Sequence, residues 1–205
     1  MQDAHVRSGN PESRALAKLL ESVSGLNRQF LDLVSAHSTD WGPSRVGLAV
    51  ELSGKIAPLT AAQKRAASNC PYALFDLRFD DEHHWQSRLG DVGQWSVADV
   101  DLVDADTAKF VNLALFFAWH SASTGKLPAR LLLGMSEATA TIFRSVTLDR
   151  LLGLGTAEAI HLTARWCNRS TYWNALAAAA ARPNSAALRR IQLSGLQLTA
   201  AARLV

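Results

Sequence analysis

The chain has 205 residues, 48% hydrophobic and 19% charged, which excludes a disordered polymer and allows one sizeable core or two small ones. The net charge of +3 permits contact with nucleic acid, but no dense Lys/Arg run marks a dedicated binding arm. Cys70 and Cys167 are far apart and form no CxxC pair, so they read as two buried thiols in a reducing compartment, not as a zinc or disulfide framework.

Residues 1–12 read as a flexible N-terminus. Met1 to His5 carry no basic or apolar leader pattern. The longest apolar run, 110–119, is about half of what a bilayer requires. The expectation is a cytoplasmic protein without a membrane span.

From Pro11 the pattern turns helical: Leu16, Leu19, Leu20, Val23, Leu26, Phe30, Leu33 and Val34 recur at three- and four-residue steps and share one face. Turn formers over 37–43 break it. A short helix is expected over 44–53 with Gly54 as its stop, and another after Thr60, its N-cap. Residues 68–71 interrupt the chain. The alternation over 72–79 fits either a short strand or a helical turn. Asp80 or Asp81 then caps a helix carrying Trp85 and Leu89.

Residues 90–103, rich in Gly and Asp, read as a connector between two units spanning 13–89 and 104–205. Asp104 or Asp106 caps an apolar helix over 108–121. Further helices are expected over 128–134, 136–144, 148–153, 157–165, 170–181 and 185–204. Ser136 and Thr147 supply caps without the Glu that completes a capping box. Strand signals are scarce, so the fold class is all-α: an irregular bundle of short helices.

The order from Asn112 onward is distinctive. An apolar helix opens at Val111-Asn112-Leu113, followed by Leu131-Leu132-Leu133-Gly134-Met135, a Ser-capped helix, Val146-Thr147-Leu148, Arg165-Trp166, and a last helix with Ile191, Gly195, Leu196 and Leu198. This resembles the FlhD-type family of flagellar transcriptional activators, with Gly134, Thr147 and Arg165 at matching separations. In that family a Leu-Gly pair starts a short helix, a Thr-Leu pair the next, and an aromatic follows an Arg. Residues 13–89 resemble a diverged second copy: Gly47, Thr60 and Arg78 stand at one constant offset from Gly134, Thr147 and Arg165, and Leu26-Asn27 precedes Gly47 much as Val111-Asn112 precedes Gly134.

The resemblance implies an all-helical transcription regulator or co-regulator with no enzymatic activity and no cofactor. Its partner would be a separate zinc-binding C subunit, with promoter DNA engaged through the complex. Two tandem FlhD-like repeats would form a pseudodimer within one chain, or a building block of a larger homo-oligomer. Arg45 matches the family's Arg ahead of the Leu-Gly pair, whereas the second copy has Leu132 there. Arg45, with Asp40 nearby, is thus the candidate partner-binding site.

Other motifs are weaker. Asp80-Asp81-Glu82-His83-His84 reads as an acidic helix N-terminus complementing the macrodipole rather than as a metal site. Ser53-Gly54-Lys55 and Ser123-Thr124-Gly125-Lys126 lack the flanking residues of a phosphate loop and read as plain loops. Leu152-Gly153-Leu154-Gly155 reads as a helix end with Gly caps. Residues 136–153 have the outline of a helix-turn-helix, but its second helix is too apolar to read bases and favours a packing role. Arg144, Lys126, Arg189 and Arg190 are the candidate DNA-phosphate contacts, with Arg182 beside the last two. The tryptophans read as core anchors, with Trp166 and Trp173 placed to share a helical face. The alternative functions are a helical ligand sensor or small enzyme, marked by a deep pocket with convergent polar groups near Trp119, Trp166 or His120, and an adaptor that antagonises a regulator without touching DNA.

Overall fold

The computed structural model describes residues 11–36, 50–90 and 104–201. Asp40, Trp41, Arg45, Gly47, Leu48, Trp95 and nearly all of the connector lie outside these residues.

The first half contributes α1 (Pro11–Ala36), α2 (Val50–Ile56), α3 (Ala61–Ser68), the strand β1 (Phe75–Asp76) and α4 (Glu82–Leu89). The second contributes α5 (Ala105–Thr124), α6 (Lys126–Leu133), α7 (Glu137–Ser145), α8 (Leu148–Leu151), α9 (Leu154–Glu158), a tight turn (Ala159–His161), β2 (Thr163–Ala164), α10 (Ser170–Ala180) and α11 (Ala186–Ala201). The all-α reading therefore stands. No helix among the described residues is long and apolar enough to cross a membrane.

The caps explain where several helices begin. Thr60 accepts the Gln63 N–H while the Gln63 side chain accepts the Thr60 N–H, a complete capping box that starts α3. Asp81, not Asp80, caps α4 by accepting the His84 N–H at 2.9 Å. Asp104, not Asp106, caps α5 by accepting the Thr107 N–H at 2.8 Å. Ser136 caps α7 in the same way through Thr139, whereas Thr147 stands before α8 without a side-chain cap bond. Gly134, at φ +76°, ends α6 rather than opening a helix.

Several expectations need correction, among them the helix end at 152–155, where Gly153 instead precedes α9 and Gly155 lies within it. Gly54 does not stop a helix: α2 runs through Ser53, Gly54 and Lys55, so that tripeptide is no loop. The second loop reading fails too: Ser123 and Thr124 finish α5, and Lys126 already begins α6. The helix expected over 157–165 ends at Glu158. Beyond it the Leu162 N–H closes onto the Ala159 carbonyl at 3.2 Å, and the chain then extends as β2, whose Ala164 and Thr163 pair antiparallel with Phe75 and Asp76. Neighbouring backbone groups in β1 reward extension there, and the Arg165 N–H adds a bond to the Leu74 carbonyl at 2.9 Å. Finally, Trp166 precedes α10 at φ +53° and so shares no helical face with Trp173.

One continuous core joins both halves. α1 packs against α5, and Phe30 touches Phe110 and Phe75 at ring separations of 5.9 and 6.0 Å. The expected face of α1 is buried from Leu19 to Val34 except at Leu20, which is partly buried, while Leu16, near the start, is 46% exposed. The smaller helices cross over: α4 of the first half packs on α7 of the second, and α10 of the second packs on α2 and α3 of the first. Trp85 in α4 and Trp173 in α10 are both fully buried. Each donates its indole N–H to a carbonyl beside a strand, Arg78 at 3.0 Å and Arg165 at 2.9 Å respectively. Arg78 and Trp166, in the turns after the two strands, both adopt left-handed backbone, φ +55° and +53°.

Candidate functional site at the seam of the two halves

The ribbon of β1 and β2 brings a buried polar centre together. Arg165, only 8% exposed, follows β2 and reaches back across the seam, donating Nη1–H bonds to the Leu132 carbonyl at 3.3 Å and the Ala73 carbonyl at 3.5 Å. Its guanidinium lies 5.0 Å from the Trp166 ring centre, a cation–π contact. A Cβ on Gly134 would stand 2.2 Å from the Arg165 Nη2, so the glycine both supplies the left-handed turn and leaves the slot that the guanidinium fills.

Asp76 and Asp80 face this centre with Arg165, Trp166 and Thr199, around a cleft of about 170 Å³. Burial pushes the Asp76 carboxyl above its ordinary range; nearby Arg165 acts in the opposite sense and Asp80 reinforces the rise.

Behind the ribbon, Tyr72 donates its hydroxyl to the Gln192 carbonyl at 2.8 Å, so its oxygen is left to accept from Tyr172 at 2.9 Å. Trp166 sets an edge-on ring against each of these tyrosines. Burial pushes both phenols far above their ordinary values. It also pushes the Cys70 thiol up to about 12, and that thiol donates to the Ala67 carbonyl at 3.2 Å. Cys70 is thus the inert buried thiol expected of it. Cys167 departs from the expectation: it lies in the turn ahead of α10 and is exposed.

A second polar cluster joins α4 to the end of α9. His84 Nε2 lies 2.8 Å from Glu158 Oε2, and Arg88 Nε lies 2.9 Å from Glu158 Oε1. His161 sets its ring edge-on to His84, 4.9 Å between centres. Glu158 is fully buried, and burial lowers the His161 pKa below its ordinary value against the pull of the Glu158 charge. Within the acidic motif, then, Asp81 is a cap as expected, while His84 turns inward to a carboxylate that the sequence reading did not single out. Glu158 and His161 were missed because their partners lie far away in the chain. The three-residue step between them, which stacks side chains on a helical face, was the available signal.

The predicted contact residues are dispersed. Arg144 is exposed in the last turn of α7, and Arg189 and Arg190 are exposed on α11. Lys126 is engaged by Glu137 at 3.6 Å, and Arg130 shares the same carboxylate at 3.4 Å. α8 is a single turn with Leu151 buried, too short to lie in a groove as a recognition helix. Trp119 donates its indole N–H to the Val146 carbonyl at 3.0 Å, and His120 is exposed. Arg45 and Asp40 lie outside the described residues. No protein-family model, no curated protein and no solved structure matches this chain.

Proposed function

We propose that the chain is a transcription regulator or co-regulator of the flagellar FlhD type, built as an intramolecular pseudodimer. In this reading it acts through protein partners and touches DNA weakly or through its complex. The observation that carries the reading is reciprocal packing: α4 seats on α7 while α10 seats on α2. A two-fold relation between the halves exchanges those two contacts. It also pairs β1 antiparallel with β2 and makes counterparts of Trp85 and Trp173, each bonded to a carbonyl in its own half. Such self-complementary exchange is the signature of an isologous interface. Two helix amides, Asn27 buried and Asn112 partly buried, add support. Asn27 of α1 accepts the Leu74 N–H, and Asn112 of α5 accepts the Gly155 N–H, so each long helix pins its own half through the Asn of the repeated pattern.

The sensor alternative is less favoured. The cleft beside Trp166 holds about 170 Å³, below the roughly 300–1,000 Å³ of ordinary small-molecule sites. The decisive experiment is capture of a zinc-binding flagellar C subunit by the purified full chain, followed by a promoter gel shift with and without that subunit. We expect capture, and a shift only in the mixture. Arg45→Ala should weaken capture with an unchanged thermal midpoint. No capture by the parent chain removes the regulator reading; capture that abolishes a C-subunit shift makes the chain an antagonist.

A further inference from the structure

We propose that His84, Glu158 and His161 form a binding site for a divalent transition metal of the zinc or cobalt class, clamping α4 to the end of α9. This site is independent of the regulatory reading. The two imidazoles and one carboxylate each offer a ligand atom, and all three atoms lie within 4.8 Å of one another. Four-coordinate zinc holds its ligands at about 2.0–2.1 Å, which sets neighbouring donors roughly 3.4 Å apart. The His84–Glu158 contact of 2.8 Å needs only to widen slightly, and the widest separation to contract, for an ion to fit between them.

The donor chemistry selects the ion. Two nitrogen ligands with a single carboxylate suit zinc, cobalt, nickel or copper, whereas calcium and magnesium call for an oxygen-rich shell. Each ligand is held by its surroundings. Trp85 sets its ring edge-on to His84 at 5.1 Å, and Glu158 is fully buried. Arg88 pairs with Glu158 Oε1 at an angle that makes no hydrogen bond. Arg88 therefore orients the carboxylate from outside the ligand shell, as outer partners do at metal centres. It also adds a positive charge, which sets the expected affinity in the micromolar range rather than that of a structural zinc finger. The partly exposed side of His161 leaves a route for the ion and a place for water as fourth ligand. His83, one residue before His84, is exposed and points elsewhere on the helix, which makes it the natural control.

The test uses the full chain stripped with a chelator. It is titrated with Co²⁺, read by visible d–d absorption, and with Zn²⁺, read by competition against a chromophoric chelator and by thermal midpoint. We expect saturable micromolar binding with tetrahedral Co²⁺ bands and a raised midpoint. His161→Ala should weaken Zn²⁺ at least about tenfold, with His83→Ala and Cys167→Ser unchanged. Glu158→Gln should also lose binding, and its far-ultraviolet circular dichroism reports whether it remains folded. His161→Ala keeps the proposal testable if it does not. No saturable binding by the parent chain overturns the site, as does parental affinity in His161→Ala or loss of binding in Cys167→Ser.

Discussion

At the scale of single residues, the seam depends on close approaches that leave no room for a methyl group. A Cβ on Gly195 would fall 2.0 Å from the Tyr72 hydroxyl, and that tyrosine is fully buried with its hydroxyl held by both Tyr172 and the Gln192 carbonyl. Gly195→Ala is expected to destabilise the protein by roughly 2 kcal/mol or more, an overpacking cost, read as a shifted denaturant midpoint; an unchanged midpoint would show that Tyr72 is free to move. Asp76 carries a different kind of strain. Its carboxyl titrates above its ordinary 3.8 because it is buried, so as pH rises past that value the unfolded chain releases a proton that the folded chain still holds. Folding stability therefore falls from that pH up to the raised value, and it is fully present only below it. Asp76→Asn lacks this loss. The thermal midpoint of the variant should gain on the parent as pH rises above 3.8, and a difference that stays flat or narrows with rising pH would count against the assignment.

At the scale of elements, Gly54 offers a clean test of the corrected helix. It is exposed inside α2, and a Cβ there meets nothing within 4 Å. Gly54→Ala should stabilise the protein by about 0.5–1 kcal/mol. Had the glycine ended the helix in a left-handed turn, the same change would have cost stability, so the sign of the midpoint shift decides between the two descriptions. The contrast shows what the sequence made legible. Caps were largely readable because a cap is a local bond between neighbours: Thr60 and Ser136 cap as their side chains predict, one Asp of each candidate pair does so at Asp81 and Asp104, and only Thr147 makes no cap bond. The apolar face of α1 was readable because periodicity is local too. The β2 strand was not, since nothing in Thr163 and Ala164 announces a partner far back in the chain. The inward turn of His84 was hidden for the same reason: its carboxylate lies 74 positions away.

At the scale of the whole molecule, neither half encloses its own core. α4 needs α7, α10 needs α2 and α3, and Phe30 of one half sits against Phe110 of the other. Residues 1–90 and 104–205 produced as separate chains should each lack cooperative unfolding. Mixed in equal amounts they should recover a single transition and elute together. A sharp transition from either piece alone would mean that the shared core is a docking surface between independent units. Co-refolding is expected because rejoining the pieces buries the apolar faces of α1, α4 and α10 again, at roughly 25 cal/mol per Å².

Asn27 sits at the heart of that arrangement. Its amide donates to the carbonyls of Ser68 and Tyr72 and accepts from the Leu74 N–H, at 3.2, 2.8 and 2.7 Å, with no exposure at all. Hydrolytic loss of ammonia from this side chain, the common ageing reaction of asparagine, would exchange the donor for a second acceptor. Two carbonyl oxygens would then confront a carboxylate in a site closed to water. The folded core shields the amide from that chemistry, so a molecule damaged here while newly made or transiently open would be barred from closing again, and the protein's own architecture would act as its quality filter.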